Sequence, residues 1–423
     1  MSLQRRAFLG ASVALAGCTP AAGPTTLRFW AMGREAEVAA QLIAGFEREH
    51  PGIRVKVEQL PWTAAHEKLL TAFAGDATPD LAQVGNTWLP EMQALGALEP
   101  LEPWLAASPE VQPADYFDGI WATNAPAGRR VGLPWYVDTR LLFVRQDLLA
   151  AAGVPRMPVT WADWTAAMAR LREHGMATPL LLPTNEFEPL LALALQQPGE
   201  VLRDGGRYGN FASADFRRAL RFYAERFRVG DAPGLSNNQV ANLWLEFGRG
   251  SFAFYISGPW NIGEFKRRLP PELGQAWTTA ELPGPRGPGV SIAGGASLAM
   301  FRRSAHKREA WALISYLSRP EVQLAFYRLT GDLPPRRSAW ALPLEGATLA
   351  EDRHAAAFRR QLERVRPTPA VPEWERIMQE MQLAAARVVG GRETEDTAVR
   401  QLDARVDGIL EKRRWMLDRQ EGA

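Results

Sequence analysis

The stretch LRFWAMGREAEVAAQLIAGFEREHPGIRVKV, residues 27–57, carries the reading of the fold. Leu27-Arg28-Phe29-Trp30 has the apolar and aromatic content of a strand. From Glu35 to Arg48, Val38, Leu42, Ile43 and Phe46 recur at helical spacing and share one face. Ile53-Arg54-Val55-Lys56-Val57 alternates apolar and charged residues, the period of a second strand. The unit is β-α-β. A further helix from Thr63 to Ala74 and the apolar strand Leu81-Ala82-Gln83-Val84 extend it, and strands alternating with helices imply a parallel sheet covered on both faces. The fold class is α/β. Such sheets bind ligands beyond the C-terminal ends of their strands. Here those ends run into Trp30 to Glu35 and into Gly85-Asn86-Thr87-Trp88.

Before this unit, Arg5-Arg6 precede a small and apolar run from Ala7 to Gly17 that ends at Cys18. The run is shorter than the roughly 20 residues needed to span a bilayer. A charged start, a short apolar stretch and small residues before a cut describe an export signal. Leu15-Ala16-Gly17-Cys18 resembles the bacterial lipobox, which implies that residues 1–18 form a lipoprotein signal ending at an acylated Cys18. Arg5-Arg6-Ala7-Phe8-Leu9 resembles a twin-arginine core, with Gln4 where Ser or Thr is usual, so the twin-arginine and Sec routes both stay open. A Sec signal with a chance cysteine is the plain alternative. Residues 19–26, rich in Pro, Ala, Gly and Thr, read as a tether, with order from Leu27 and a tail at 416–423.

Cys18 is the only cysteine among 423 residues, which excludes a disulfide framework and a cysteine-ligated metal. Loss of Arg5 and Arg6 takes Lys+Arg from 49 to 47, equal to the 47 Asp+Glu, and a near-neutral mature chain is not a nucleic-acid binder. Length and 46% hydrophobic content leave room for two cores.

Further segments follow in order: Thr78-Pro79-Asp80-Leu81, Gly96-Ala97-Leu98-Glu99-Pro100-Leu101, Leu133-Pro134-Trp135-Tyr136-Val137-Asp138, Phe254-Tyr255-Ile256-Ser257-Gly258-Pro259-Trp260, Ala310-Trp311-Ala312-Leu313-Ile314-Ser315-Tyr316-Leu317 and Gly331-Asp332-Leu333-Pro334. With Phe29-Trp30-Ala31-Met32-Gly33, their order and spacing resemble the family of extracellular solute-binding proteins that includes maltose-binding protein. The resemblance covers nearly the whole mature chain. It implies a type II-like periplasmic-binding-protein fold of two α/β lobes joined by hinge crossings. The residues themselves offer three crossings: a strand around Pro134 to Leu142, the Pro/Gly-rich loop Pro283 to Gly289, and Pro334-Pro335. Lobe one then combines 27–138 with 292–333, and lobe two 139–291 with 334–415. The resemblance further implies a monomeric component of an ABC importer, anchored to the membrane by its lipid and partnered by permease subunits and an ATPase.

A pyranose has an apolar C–H face suited to aromatic rings and a hydroxyl rim suited to carboxylates, amides and arginines. Of the 15 tryptophans, Trp30, Trp88, Trp135, Trp260 and Trp374 lie beside turns or Gly/Pro, whereas Trp164 and Trp311 sit in helical patterns and read as core. Trp260, after the exit Ser257-Gly258-Pro259, matches the family's sugar-stacking tryptophan, and Trp374 matches a second stacking position. Core packing is the alternative for each. Asp138 matches the hinge acid that accepts sugar hydroxyls, with Tyr136 two residues earlier on the same strand face; the alternative for Asp138 is a salt bridge with Arg140. Arg34 and Glu35 match a charged hydroxyl-binding pair, and Glu35 also suits a first helical turn. Asn86, Thr87 and Trp88 occupy the family's second binding loop, without the charged residues of maltose-binding protein. Asn185 and Glu186 fall in a contributing loop of lobe two, and Gly294-Gly295 gives close backbone access.

A glycoside hydrolase is the enzyme alternative, with Asp138 and Glu186 as its carboxylates. The chain contains no Gly-x-Ser-x-Gly elbow, no His-Glu-x-x-His helix and no phosphate loop between strand and helix. Its five histidines are dispersed, so neither a metal nor a cofactor is implied. Within the binding class, a polyamine needs several carboxylates with aromatic walls, and a phosphate needs clustered N–H groups and arginines. The mixed aromatic and amide set favours a neutral, glucose-containing di- or oligosaccharide. An adhesin or scaffold has no repeats to support it.

Overall fold

The computed structural model describes residues 23–236, 239–240, 242–344 and 346–421. The signal and Cys18 lie outside the described residues. In chain order, β1 (Thr25–Met32), the helix Gly33–Glu49, β2 (Ile53–Leu60), the helix Trp62–Ala74, β3 (Leu81–Gly85) and β4 (Leu133–Asp138) open the fold. Two residues later β5 (Leu141–Arg145) begins a second sheet. It is followed by β6 (Leu180–Leu181), the short hairpin β7 (Leu202–Arg203) and β8 (Tyr208–Gly209), β9 (Phe254–Ser257) and β10 (Trp277–Ala280). Then β11 (Ser291–Ile292) pairs with Val365–Arg366, and β12 (Gly294–Met300) returns to the first sheet.

The first sheet has the order β2-β1-β3-β12-β4 and the second β10-β5-β9-β6. The two sheets are the frameworks of a two-lobe α/β fold. The parallel expectation holds for β1 against β2 and β3, and fails where the chain comes back: β12 runs antiparallel to both β3 and β4. A strand that returns from the other lobe enters from the opposite end, so the sheet is mixed. The stretch Pro134 to Leu142 is likewise two strands in different sheets rather than one. Thr25 and Thr26, read as tether, already pair with Ile53 and Arg54 in β1, and the expected tail is continuous with the helix Glu411–Glu421.

Each sheet buries its own core. Phe29, Phe46, Trp135 and Leu298 fill one in lobe one; Leu142, Trp164, Phe254 and Trp374 fill one in lobe two. A further apolar cluster joins Phe117 and Val137 to Leu141, Phe143 and Phe265, tying both sides of the crossings together. Ser291 Oγ donates to the Arg140 carbonyl at 2.6 Å, so the crossing at 139–140 is fastened to the one near 291. The strand ends β1, β2 and β3, the Asp138–Arg140 crossing and the start of the helix Trp260–Arg268 all open on one gap between the lobes.

Candidate ligand-binding cleft

That gap is a cavity of about 590 Å³, within the range of small-molecule sites. From lobe one, Arg34 and Glu35 follow β1, Trp62 follows β2, and Asn86, Thr87 and Trp88 follow β3. Tyr136 and Asp138 face it from alternate positions of β4, two residues apart as strand geometry requires. Gly295 lines it from β12 and Trp260 from lobe two. Gly295 has φ +134°, and a Cβ there would lie 2.2 Å from the Tyr136 carbonyl, so only glycine lets the strands close at this point.

Two rings form one aromatic wall. Trp88, 9% exposed, meets Trp62, 39% exposed, edge to face with centroids 5.8 Å apart. Opposite, the Trp260 ring rests on Gly258, where a Cβ would fall 1.9 Å from it, and the Arg140 guanidinium lies 4.7 Å from its centroid.

At the deep end, the Tyr136 hydroxyl donates to Glu35 Oε1 at 2.8 Å, and Gln83 Nε2 donates to Tyr136 Oη at 3.0 Å. Gln83 is itself held by the Met32 N–H, which donates to Gln83 Oε1 at 2.7 Å. Burial pushes the Glu35 carboxyl up, and hydrogen bonds from backbone, Tyr136, Gln83 and Trp62 pull the other way. Asp332 lines the same end and is driven well above the ordinary carboxyl range by burial and then by the Glu35 charge. Burial and the Glu35 charge also push Tyr136 well up, so it stays a hydroxyl donor.

At the hinge edge, Arg140 donates to Asp138 Oδ1 and to Glu188 Oε1, each at 2.6 Å. Burial opposes the Arg140 charge, but Asp138, Glu188 and Glu186 more than offset it and keep the guanidinium protonated. Burial raises Asp138, with Arg140 pulling it back.

Three expected residues stand elsewhere. Trp374 is 0% exposed and packs in the lobe-two core, because Trp374, Ile377, Met378 and Met381 form the buried stripe of the helix Trp374–Val389. Glu375, its neighbour, reaches the cavity instead. Asn185 and Glu186 precede the helix Glu188–Leu195, and it is Phe187 and Glu188 that line the cleft. Asn86 is a wall rather than an open amide: its Nδ2 donates to Thr123 Oγ1 at 2.9 Å and its Oδ1 accepts from Ser297 Oγ at 3.0 Å. Arg34 pairs with Glu37 at the exposed rim.

A family model described as bacterial extracellular solute-binding protein matches residues 33–324. The chain belongs to this family. The solute-binding protein is 56% identical to the sugar-binding protein MalE from the phytopathogen Xanthomonas citri; their structures superpose with a TM-score of 0.89, covering 93% of this chain and 99% of that one. It is 30% identical over 403 residues to an uncharacterized lipoprotein in the oleD 5′ region of Streptomyces antibioticus, covering 85% of this chain and 82% of that one. It is 24% identical over 355 residues to the diacetylchitobiose binding protein DasA of Streptomyces coelicolor, with 82% and 81% covered. The gap between the lobes is therefore the cleft of a protein that captures a solute, and the family is one of binding proteins rather than enzymes.

Proposed function

We propose that this chain captures a neutral, glucose-containing di- or oligosaccharide between its lobes and delivers it to the permease subunits and ATPase of an ABC importer. One observation carries the reading: indole rings from both lobes, Trp62 and Trp88 against Trp260, border a cavity rimmed by Glu35, Asp138, Arg140 and Glu188. The rings suit the C–H face of a pyranose and the charged groups its hydroxyls. The likeness to a MalE described as sugar-binding supports the same class. Ligand contacts on both lobes favour the closed form by their differential free energy, which is what a transporter can read.

A thermal-shift and calorimetric panel of maltose, trehalose, maltotriose and N,N′-diacetylchitobiose, with putrescine and glycerol 3-phosphate as controls, tests this. A sugar at 100 times its Kd stabilises the protein by ~2.7 kcal/mol. Stabilisation by putrescine or glycerol 3-phosphate alone removes the sugar reading. New reducing ends after incubation would indicate a hydrolase.

We further propose that the mature chain works as a monomer on the outer side of the membrane, held by acylated Cys18. Cys18→Ser then yields an exported protein that leaves the membrane fraction. A variant that stays membrane-bound after high-salt washing removes the anchor.

A further inference from the structure

The hinge edge contains more order than a solvent-facing ion pair needs. Arg140 sits in the two-residue step between the sheets, and its side chain touches three elements. Its Nη1 donates to Asp138 at the end of β4, its Nη2 donates to Glu188 at the start of a lobe-two helix, and its guanidinium lies over Trp260. Its backbone is fixed through Ser291 to the second crossing. Each carboxylate gives one oxygen to Arg140, Oδ1 of Asp138 and Oε1 of Glu188, and both residues line the cavity. Thr139 Oγ1 and Arg140 Nε are buried in the cleft lining with no hydrogen-bond partner. An ionised carboxylate is an acceptor only, and pairing to a guanidinium favours that form and orients it.

We propose that Arg140 is the positioning residue of the cleft, holding Asp138 on one side of the hinge and Glu188 on the other as paired acceptors for the hydroxyls of one sugar ring. The assignment rests on the sugar reading above. It makes ligand capture depend on both sides of the hinge at once, because one planar fork sets the spacing of the two acceptors. Lysine, a point charge on a flexible stem, does not reproduce that fork.

The test compares unmodified protein, Arg140→Lys and Arg140→Gln by calorimetry with the tightest sugar of the panel, across the range from about pH 5 to about pH 8 around neutrality. Glu35, Asp332, Glu264 and Glu375 line the same cavity in all three proteins, and the Glu186 charge acts on Arg140 as well. The difference between profiles therefore reports the carboxylates that interact with Arg140, namely Asp138, Glu188 and Glu186. Arg140→Gln is expected to bind about tenfold or more weakly at neutral pH, and its affinity to fall on acidification at a higher pH than that of the unmodified protein. Arg140→Lys is expected to bind weakly but to keep the unmodified midpoint. A melt of each apo protein accompanies the titrations. Should Arg140→Gln not fold, Arg140→Lys decides: weaker binding with an unshifted midpoint supports the assignment. Unchanged affinity in Arg140→Lys and Arg140→Gln, or a loss in Arg140→Gln equal at every pH, overturns the positioning role alone. Unmodified protein that binds none of the sugars overturns the sugar reading and the assignment together.

Discussion

The deep end of the cleft and its hinge edge both turn carboxyl groups toward the cavity, and they prepare them by opposite means. At the deep end, the Glu35 side chain is held by neutral donors, Tyr136 and Gln83, and burial and the Glu35 charge together drive Asp332 up. At the hinge edge, Asp138 and Glu188 share one guanidinium. Burial raises Glu35 and Asp138 alike, but neutral hydrogen bonds oppose it at Glu35 and the Arg140 charge opposes it at Asp138. One cleft thus orients one carboxyl through neutral groups and another through a charge.

The most severe way to break the contrast is through the core behind the lobe-two wall. Trp374→Ala leaves a cavity and is expected to cost about 3–5 kcal/mol of folding stability, with an apo melting temperature lower by several degrees. Because Trp374 does not touch the cavity, affinity measured on the folded fraction should be nearly unchanged. Trp260→Ala is the counterpart. It removes a ring from a partly open site, so Kd should rise about tenfold while the apo melt hardly moves. An apo destabilisation as large as that of Trp374→Ala would assign Trp260 to the core.

Asp332→Asn sharpens the comparison at the deep end. An acid whose folded pKa is raised binds its proton more tightly folded than unfolded. Stability therefore falls as pH rises from the unfolded value near 4 through the raised folded one. Replacing the acid should raise apo stability at pH 7 by on the order of 1 kcal/mol, and the gain should vanish toward pH 4. Equal melting temperatures at pH 7 would mean that Asp332 carries no burdened charge. The smallest effect is expected at the rim: Arg34→Ala breaks an exposed pair and should change stability by less than about 0.5 kcal/mol, seen as an unchanged denaturation midpoint.

Much of the site follows from one rule, that ligands gather beyond strand C-termini. It leads directly to Glu35 after β1 and to Trp88 after β3. Applied to β2 it would have reached Trp62, two residues past Leu60, which strand reading stopped short of by ending the strand at Val57. The family resemblance sets Trp374 at a stacking position, although the i, i+3, i+4, i+7 run Trp374, Ile377, Met378 and Met381 already describes a buried stripe. Arg140 was visible as a possible partner for Asp138, but Glu188 lies 48 residues further along and nothing local announces their meeting. Asp332 sits in a recognised segment, yet only the fold brings it beside Glu35. The mixed character of the first sheet was equally out of reach, since a local pattern records neither a strand's direction nor its neighbours.

The return of β12 has a consequence for how the chain is made. β3 and β4 do not pair with each other; β12 lies between them and joins both. Ser297 meets Asn86 across a sequence separation of 211 residues. During synthesis, the sheet of lobe one therefore stays split, with β4 lacking its partner, until the first segment of lobe two, residues 139–291, has emerged. Contacts of such separation slow folding and leave strand edges open meanwhile. A chain that closes so late remains threadable for most of its time on the ribosome.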